Sequence, residues 1–117
     1  MMKRPEQPDA GGVIARIWRG ETRAADADAY MEILNRTGVA DYRATPGNRE
    51  VIVLRRVRGD RAEFLLITLW DSREAIAAFA GDDIEAARYY PEDEKYLVSA
   101  PEQVDHWELA ARARADE

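Results

Sequence analysis

The stretch Phe64 to Trp70, "FLLITLW", contains one polar residue, Thr68, in a chain of 117 residues that carries a net charge of −6 and 34% charged residues. As a β-strand it places Phe64, Leu66, Thr68 and Trp70 on one face and Leu65, Ile67 and Leu69 on the other. Both faces are apolar, so both need cover. Burying one large apolar side chain stabilises a fold by about 1.5–3 kcal/mol. Three left in water would forgo an amount comparable to a small domain's net stability of about 5–15 kcal/mol. Whatever this chain folds into must therefore close a sheet on two sides.

The remaining elements follow from local signals. Residues 1–12 are polar, with two prolines and a Gly-Gly pair, and read as a flexible leader. "VIARIWR", Val13 to Arg19, reads as a first strand closed by Gly20. Thr22 is the expected N-cap of a helix with acidic Asp26 and Asp28 early and an apolar stripe of Tyr30, Ile33 and Leu34. Gly38 is its expected stop. A loop over 39–50 follows, turning at Pro46-Gly47-Asn48. "VIVLRRV" and "AEFLLITLW" flank "RGDR" and form a hairpin.

Asp71 and Glu74 have the spacing of a capping box, ahead of a helix facing inward through Ile76 and Phe79. "DDIEAARYY" is expected to be a second helical piece ended by Pro91. Residues 91–103 are an irregular connection, Val104 to Leu109 a fourth strand, and 110–117 a tail. The order is β-α-β-β-α-β. It predicts an α+β, ferredoxin-like domain over 13–109, with a four-stranded antiparallel sheet and both helices on one face. The other face is then open. A two-fold homodimer packing sheet on sheet would close it. The alternative cover is the chain's own 89–103 loop or its leader.

Composition excludes several function classes. Without cysteine there is no disulfide, thiolate metal site or cysteine nucleophile. No apolar run approaches the roughly 20 residues of a membrane span, and the start lacks the apolar region of an export signal, which points to a cytoplasmic protein. The densest basic cluster, Arg55, Arg56, Arg58 and Arg61, straddles the hairpin turn of an acidic chain, so no nucleic-acid partner is expected. One histidine and scattered acids argue against a protein-ligated transition metal. Neither a phosphate-binding glycine loop nor a serine nucleophile elbow is present.

Four segments together resemble the antibiotic biosynthesis monooxygenase family of the dimeric α+β barrel superfamily. They are "FLLITLWDSREAIAAF", the opening "IARIWRGE", the Pro46-Gly47 turn and the closing "HWEL". The resemblance implies one of three things. One branch oxidises polycyclic phenols without a cofactor, the ionised substrate itself giving an electron to oxygen in a snug, water-excluding pocket. A second degrades haem with a first-strand Asn, a Trp ending the third strand and a helical His. A third has the fold without demonstrated chemistry. Here only Trp70 matches the haem branch. The first strand offers Arg16 and Arg19 in place of Asn, and Arg88 stands near the position of the helical His. The resemblance therefore implies a cofactor-independent monooxygenase, acting as a homodimer on a small aromatic, phenolic or quinol-like molecule. A non-catalytic ligand-binding or stress-associated dimer is the alternative.

Candidate site residues each have a structural reading beside the functional one. Trp70 is either a pocket wall or a core indole. Arg88, Tyr89, Tyr90 and Tyr96 either bind and polarise a phenol or form a structural lid. His106 is a proton acceptor or a satisfied strand histidine. Arg16 and Trp18 share one strand face, which is either pocket or interface. His106, Tyr90 and Arg88 are the catalytic candidates; Trp70, Tyr89, Tyr96, Trp18 and Arg16 are the binding candidates.

Overall fold

A computed structural model describes residues 12–115. Strand β1 spans Ile14–Arg23, β2 Asn48–Arg58 and β3 Arg61–Trp70. Helix α1 spans Ala27–Leu34, α2 Ala40–Ala44, α3 Arg73–Ala80 and the single turn α4 Asp93–Tyr96. Two short strands follow, β4 at Leu97–Ser99 and β5 at Asp105–Glu108. All pairings are antiparallel, in the order β2-β3-β1, with β4 and β5 both alongside β1. This is the predicted α+β arrangement, extended by the three-residue strand β4. The leader expected over 1–12 falls, except for Gly12, outside the described residues.

The register confirms which side chains share a face. Trp18 is paired with Leu66 and Arg16 with Thr68, and Thr68 with Val51. These face the helices, where Phe64, Leu66 and Trp70 join Tyr30, Ile33, Leu34, Tyr42, Ile76 and Phe79 in one core. Gly47, at φ +93, makes the turn into β2, and a Cβ there would lie 2.5 Å from that of Ala75 on α3. Its carbonyl also accepts from Asp71 N at 2.8 Å, tying the start of β2 to the end of β3.

Several local expectations are corrected. β1 does not stop at Gly20 but runs on to Arg23, and Thr22 is a buried strand residue rather than a cap. The helix starts later, after a 3-10 turn at Ala24–Asp26. Gly38 does not end it: the chain widens into a π turn over Asn35–Val39 and continues as α2. Glycine is a helix stop only where the left-handed region is used, and here Gly38 has no positive φ. The cap of α3 is Ser72, whose hydroxyl accepts from Ala75 N at 3.1 Å; Asp71 pairs with Arg49 instead. "DDIEAARYY" is not helical. It forms an extended strap, bridged to Gln103 through Ala86.

The second sheet face is partly covered by the chain itself. Leu109 N donates to Val13 O, and Arg112 reaches Glu50 Oε1 on β2 at 3.1 Å. The segment between them runs from β1 toward β2 along the row Trp107, Ala15, Leu69 and Glu50, in which Ala15 and Leu69 are buried. Of the 89–103 loop, Ser99 and Pro101 reach the edge of this face. The rest of this face stays accessible: Ile17, Ile52, Leu65 and Ile67 are half-buried, Leu54 is 49% exposed and Trp107 59%. A shallow groove of about 590 Å³ continues it toward the hairpin end, between Arg19, Leu54, Arg56, Glu63, Leu65 and Pro101.

Candidate functional site

Between the sheet and the strap lies a small, partly open cavity of about 30 Å³, room for about one water. Strand β1 supplies Arg16 and Trp18, the helical segment supplies Tyr30, Thr37, Gly38 and Tyr42, α3 supplies Phe79, and the strap supplies Arg88, Tyr89 and Tyr90. The π turn has a direct effect here. It sets Gly38 against both aromatics: a Cβ there would stand 3.9 Å from the Tyr42 and Tyr90 rings, an ordinary packing contact.

Polar groups around the cavity are tied in three sets. In the first, the Arg16 guanidinium donates to Ile84 O at 2.5 Å and Ala86 O at 3.1 Å, and its Nη1 faces His106 Nε2 at 3.2 Å. Arginine can only donate, so His106 Nε2 accepts and the ring proton resides on Nδ1. That Nδ1 is buried without a hydrogen-bond partner, 3.7 Å from Glu85. Burial, followed by the neighbouring Arg16 charge, holds the His106 pKa below its ordinary value of 6.5. The imidazole is neutral at pH 7.

In the second set, Trp18 Nε1 donates to the Tyr89 hydroxyl at 3.0 Å, which donates in turn to Pro101 O. In the third, the Tyr90 hydroxyl donates to Asp41 Oδ2 at 2.5 Å, and Arg88 reaches the same oxygen at 3.3 Å while donating to Phe79 O. Arg88 also stacks 4.7 Å above the Phe79 ring. Burial, then the bond to Asp41, pushes the Tyr90 pKa well above 10, so Tyr90 stays a protonated donor.

Beside these sets, Tyr30 donates to Asp93 Oδ1 at 2.9 Å, and Asp93 Oδ2 accepts from Tyr90 N at 2.7 Å. Asp93 stands in the acidic stretch Glu92-Asp93-Glu94, yet it is 5% exposed. It anchors the strap to α1.

Five of the eight sequence candidates, Arg16, Trp18, Arg88, Tyr89 and Tyr90, line the cavity. His106 stands one contact behind it, through Arg16. Trp70 is fully buried in the core beside Tyr42 and Phe79, with its indole N–H on the Thr68 hydroxyl at 2.8 Å. Tyr96 packs against Tyr30, away from the cavity. Sequence reading missed Tyr42 and Asp93. Tyr42 was assigned to a loop because the helix was stopped at Gly38; twelve residues after Tyr30, it would fall off the inward stripe of a regular α-helix, and the extra residue of the π turn brings it back. Nothing local distinguishes Asp93 from its acidic neighbours.

The sequence model of the family described as antibiotic biosynthesis monooxygenase matches residues 13–86. No curated protein matches the chain. Among solved structures, a proposed antibiotic biosynthesis monooxygenase from Bacillus cereus superposes with a TM-score of 0.61 at 16% identity, covering 90% of this chain and 100% of its own. A cofactor-independent oxygenase from Streptomyces nogalater gives 0.55 at 16% identity, with 91% and 99% covered. A haem-degrading protein from Mycobacterium tuberculosis gives 0.56 at 18% identity, with 90% and 99% covered.

Proposed function

The chain belongs to the antibiotic biosynthesis monooxygenase family, and from that premise we propose that it is a cofactor-independent monooxygenase acting on an aromatic, phenolic or quinol-like small molecule. The observation that carries this reading is the cavity between sheet and strap. Its walls are aromatic, its heads are two guanidiniums, four phenols and the Asp93 carboxylate, and the strap covers part of it. In such a site each polar contact is stronger than in water. Tyr89, Tyr90 and Arg88 would orient the substrate's oxygens, Trp18 and Phe79 would flank its ring, and Arg16 would carry the charge that stabilises an ionised substrate. His106 is a positioning residue in this scheme, since it reaches the cavity only through Arg16.

A space of about 30 Å³ does not hold a ring, so a substrate enters when strap residues 82–96 lift. That same small volume favours a second reading, a non-catalytic ligand-binding or stress-associated dimer. Haem degradation is disfavoured. The single histidine has a side chain only 2% exposed, turned to Arg16, and the cavity walls present no imidazole to an iron. The homodimer belongs to the proposal as well, through the apolar sheet face that the C-terminal segment leaves uncovered.

The test is oxygen uptake with hydroquinone and anthrone-type substrates, beside Tyr90→Phe and Arg88→Gln variants. Uptake that falls at least about tenfold in either variant, the scale of one lost charged or general-acid contact, supports the assignment. No uptake above buffer across the panel leaves the binding-protein reading.

A further inference from the structure

A charge taken out of water needs a compensating partner, and removing the partner of a buried charge is strongly destabilising. Arg16 is 2% exposed. Its two terminal nitrogens are held by the carbonyls of Ile84 and Ala86 and by the neutral ring of His106, all uncharged. Its Nε–H is buried with no partner at all. Among the described residues no carboxylate forms an ion pair with it. The acids nearby are committed elsewhere: Asp93 to Tyr30 and the backbone of Tyr90, Asp41 to Tyr90 and Arg88. Glu85 stands on the far side of His106 with its side chain 57% exposed. Beside Arg16 lies Tyr42, whose pKa is raised by burial and only partly brought back by the Arg16 charge. It is a neutral hydroxyl with a proton to donate.

We propose that the cavity takes the carboxylate of an aromatic acid, with Arg16 Nε–H and the Tyr42 hydroxyl as its donors. This rests on the reading of the cavity as a ligand site and names the charged group of the ligand. A carboxyl, with an ordinary pKa near 4, arrives already ionised at pH 7, whereas a phenol near 10 must first lose its proton. The one imidazole available to take that proton has Nε2 engaged by Arg16. The cavity, at about 30 Å³, has room for a small polar group and not for a ring. The ring behind it lies against Trp18 and Phe79 and displaces the strap. Arg16 itself clips the strap through Ile84 and Ala86, so a carboxylate that draws on Arg16 acts at the point that holds the strap in place.

The experiment is calorimetric titration of the full chain at pH 7 with 4-hydroxybenzoate and with its methyl ester, which keeps the ring and phenol and removes the charge. The acid is expected to bind roughly ten- to a hundredfold more tightly, the range of one charge-assisted hydrogen bond. Arg16→Met should bring acid and ester together, Arg16→Lys should restore part of the preference, and Tyr42→Phe should weaken the acid several-fold. Circular dichroism checks each variant. If Arg16→Met does not fold, Arg16→Lys and Tyr42→Phe decide. Equal affinity for acid and ester overturns the carboxylate proposal and leaves the aromatic cavity standing. Binding of neither overturns both. An acid preference untouched by all three substitutions overturns the assignment to Arg16 and Tyr42, and tighter binding of 4-nitrophenolate than of the acid overturns the choice of carboxylate.

Discussion

His106 shows how one side chain takes its state from neighbours that are remote in sequence. Its Nε2 faces a guanidinium 90 residues away, and burial together with that charge favours the neutral ring. A histidine whose folded pKa lies below its unfolded value of 6.5 binds its proton in the unfolded chain first. Its contribution to stability is therefore full above the unfolded pKa and is lost as pH falls from there toward the folded pKa. Urea midpoints should be level from about pH 8 to 7 and drop as pH falls below about 6.5, before ordinary carboxylates titrate. His106→Gln should flatten that drop. A drop of equal size in the variant would remove His106 as its source. Tyr30 and Asp93 make the complementary case. A tyrosine on a helical stripe reads as apolar filling, and only the folded chain shows its hydroxyl closing a buried carboxylate.

At the scale of elements, β1 depends on a glycine that the sequence presents as a strand end. Trp18 and Gly20 lie two residues apart on the helix-facing side of the strand, and the indole lies flat over the glycine. A Cβ on Gly20 would meet Trp18 Cη2 at 2.3 Å. The ring has nowhere to retreat, being 7% exposed and hydrogen-bonded to Tyr89. Gly20→Ala should therefore destabilise by about 1–3 kcal/mol, as overpacking does. It should also move the tryptophan emission, since Trp18 must shift away from the Tyr89 hydroxyl. Thermal melts and fluorescence check this, and a variant with wild-type stability and spectrum would contradict the packing described. The strap is the other element that local signals misassign. "DDIEAARYY" has the composition of a helix, but its carbonyls at Ile84 and Ala86 are taken by Arg16 and its Ala87 N by Glu102 O. Tertiary partners outcompeted the i to i+4 bonds that the propensity favoured.

For the whole molecule, the proposed homodimer rests on the second sheet face. Ala15 and Leu69 are buried on this face, and Ile17, Ile52, Leu54, Leu65, Ile67 and Trp107 form a contiguous apolar surface framed by Arg19, Glu21, Arg56 and Glu63. Sedimentation at micromolar concentration should show a dimer. Ile67→Arg should give a monomer with unchanged circular dichroism, because the side chain points away from the helices and a charge there opposes only the interface. A wild-type monomer would mean that this face needs no second copy to cover it.

The residues that alternate or repeat along the chain were legible without coordinates. The two faces of Phe64 to Trp70, the hairpin at Gly59-Asp60, the α3 stripe of Ile76 and Phe79, and the β-α-β-β-α-β order all rest on spacing within a few residues. So did five of the side chains that line the cavity, which stand out as arginine and aromatic residues at element ends. What the sequence left open was decided by partners more than 40 residues apart: Arg16 with His106 and the strap, Tyr30 with Asp93, Tyr90 with Asp41, and Arg112 with Glu50. Periodicity reports which face a side chain takes, because the backbone fixes that locally. It does not report which polar group waits on that face, because that is settled only when desolvation forces each buried donor and charge to find a partner.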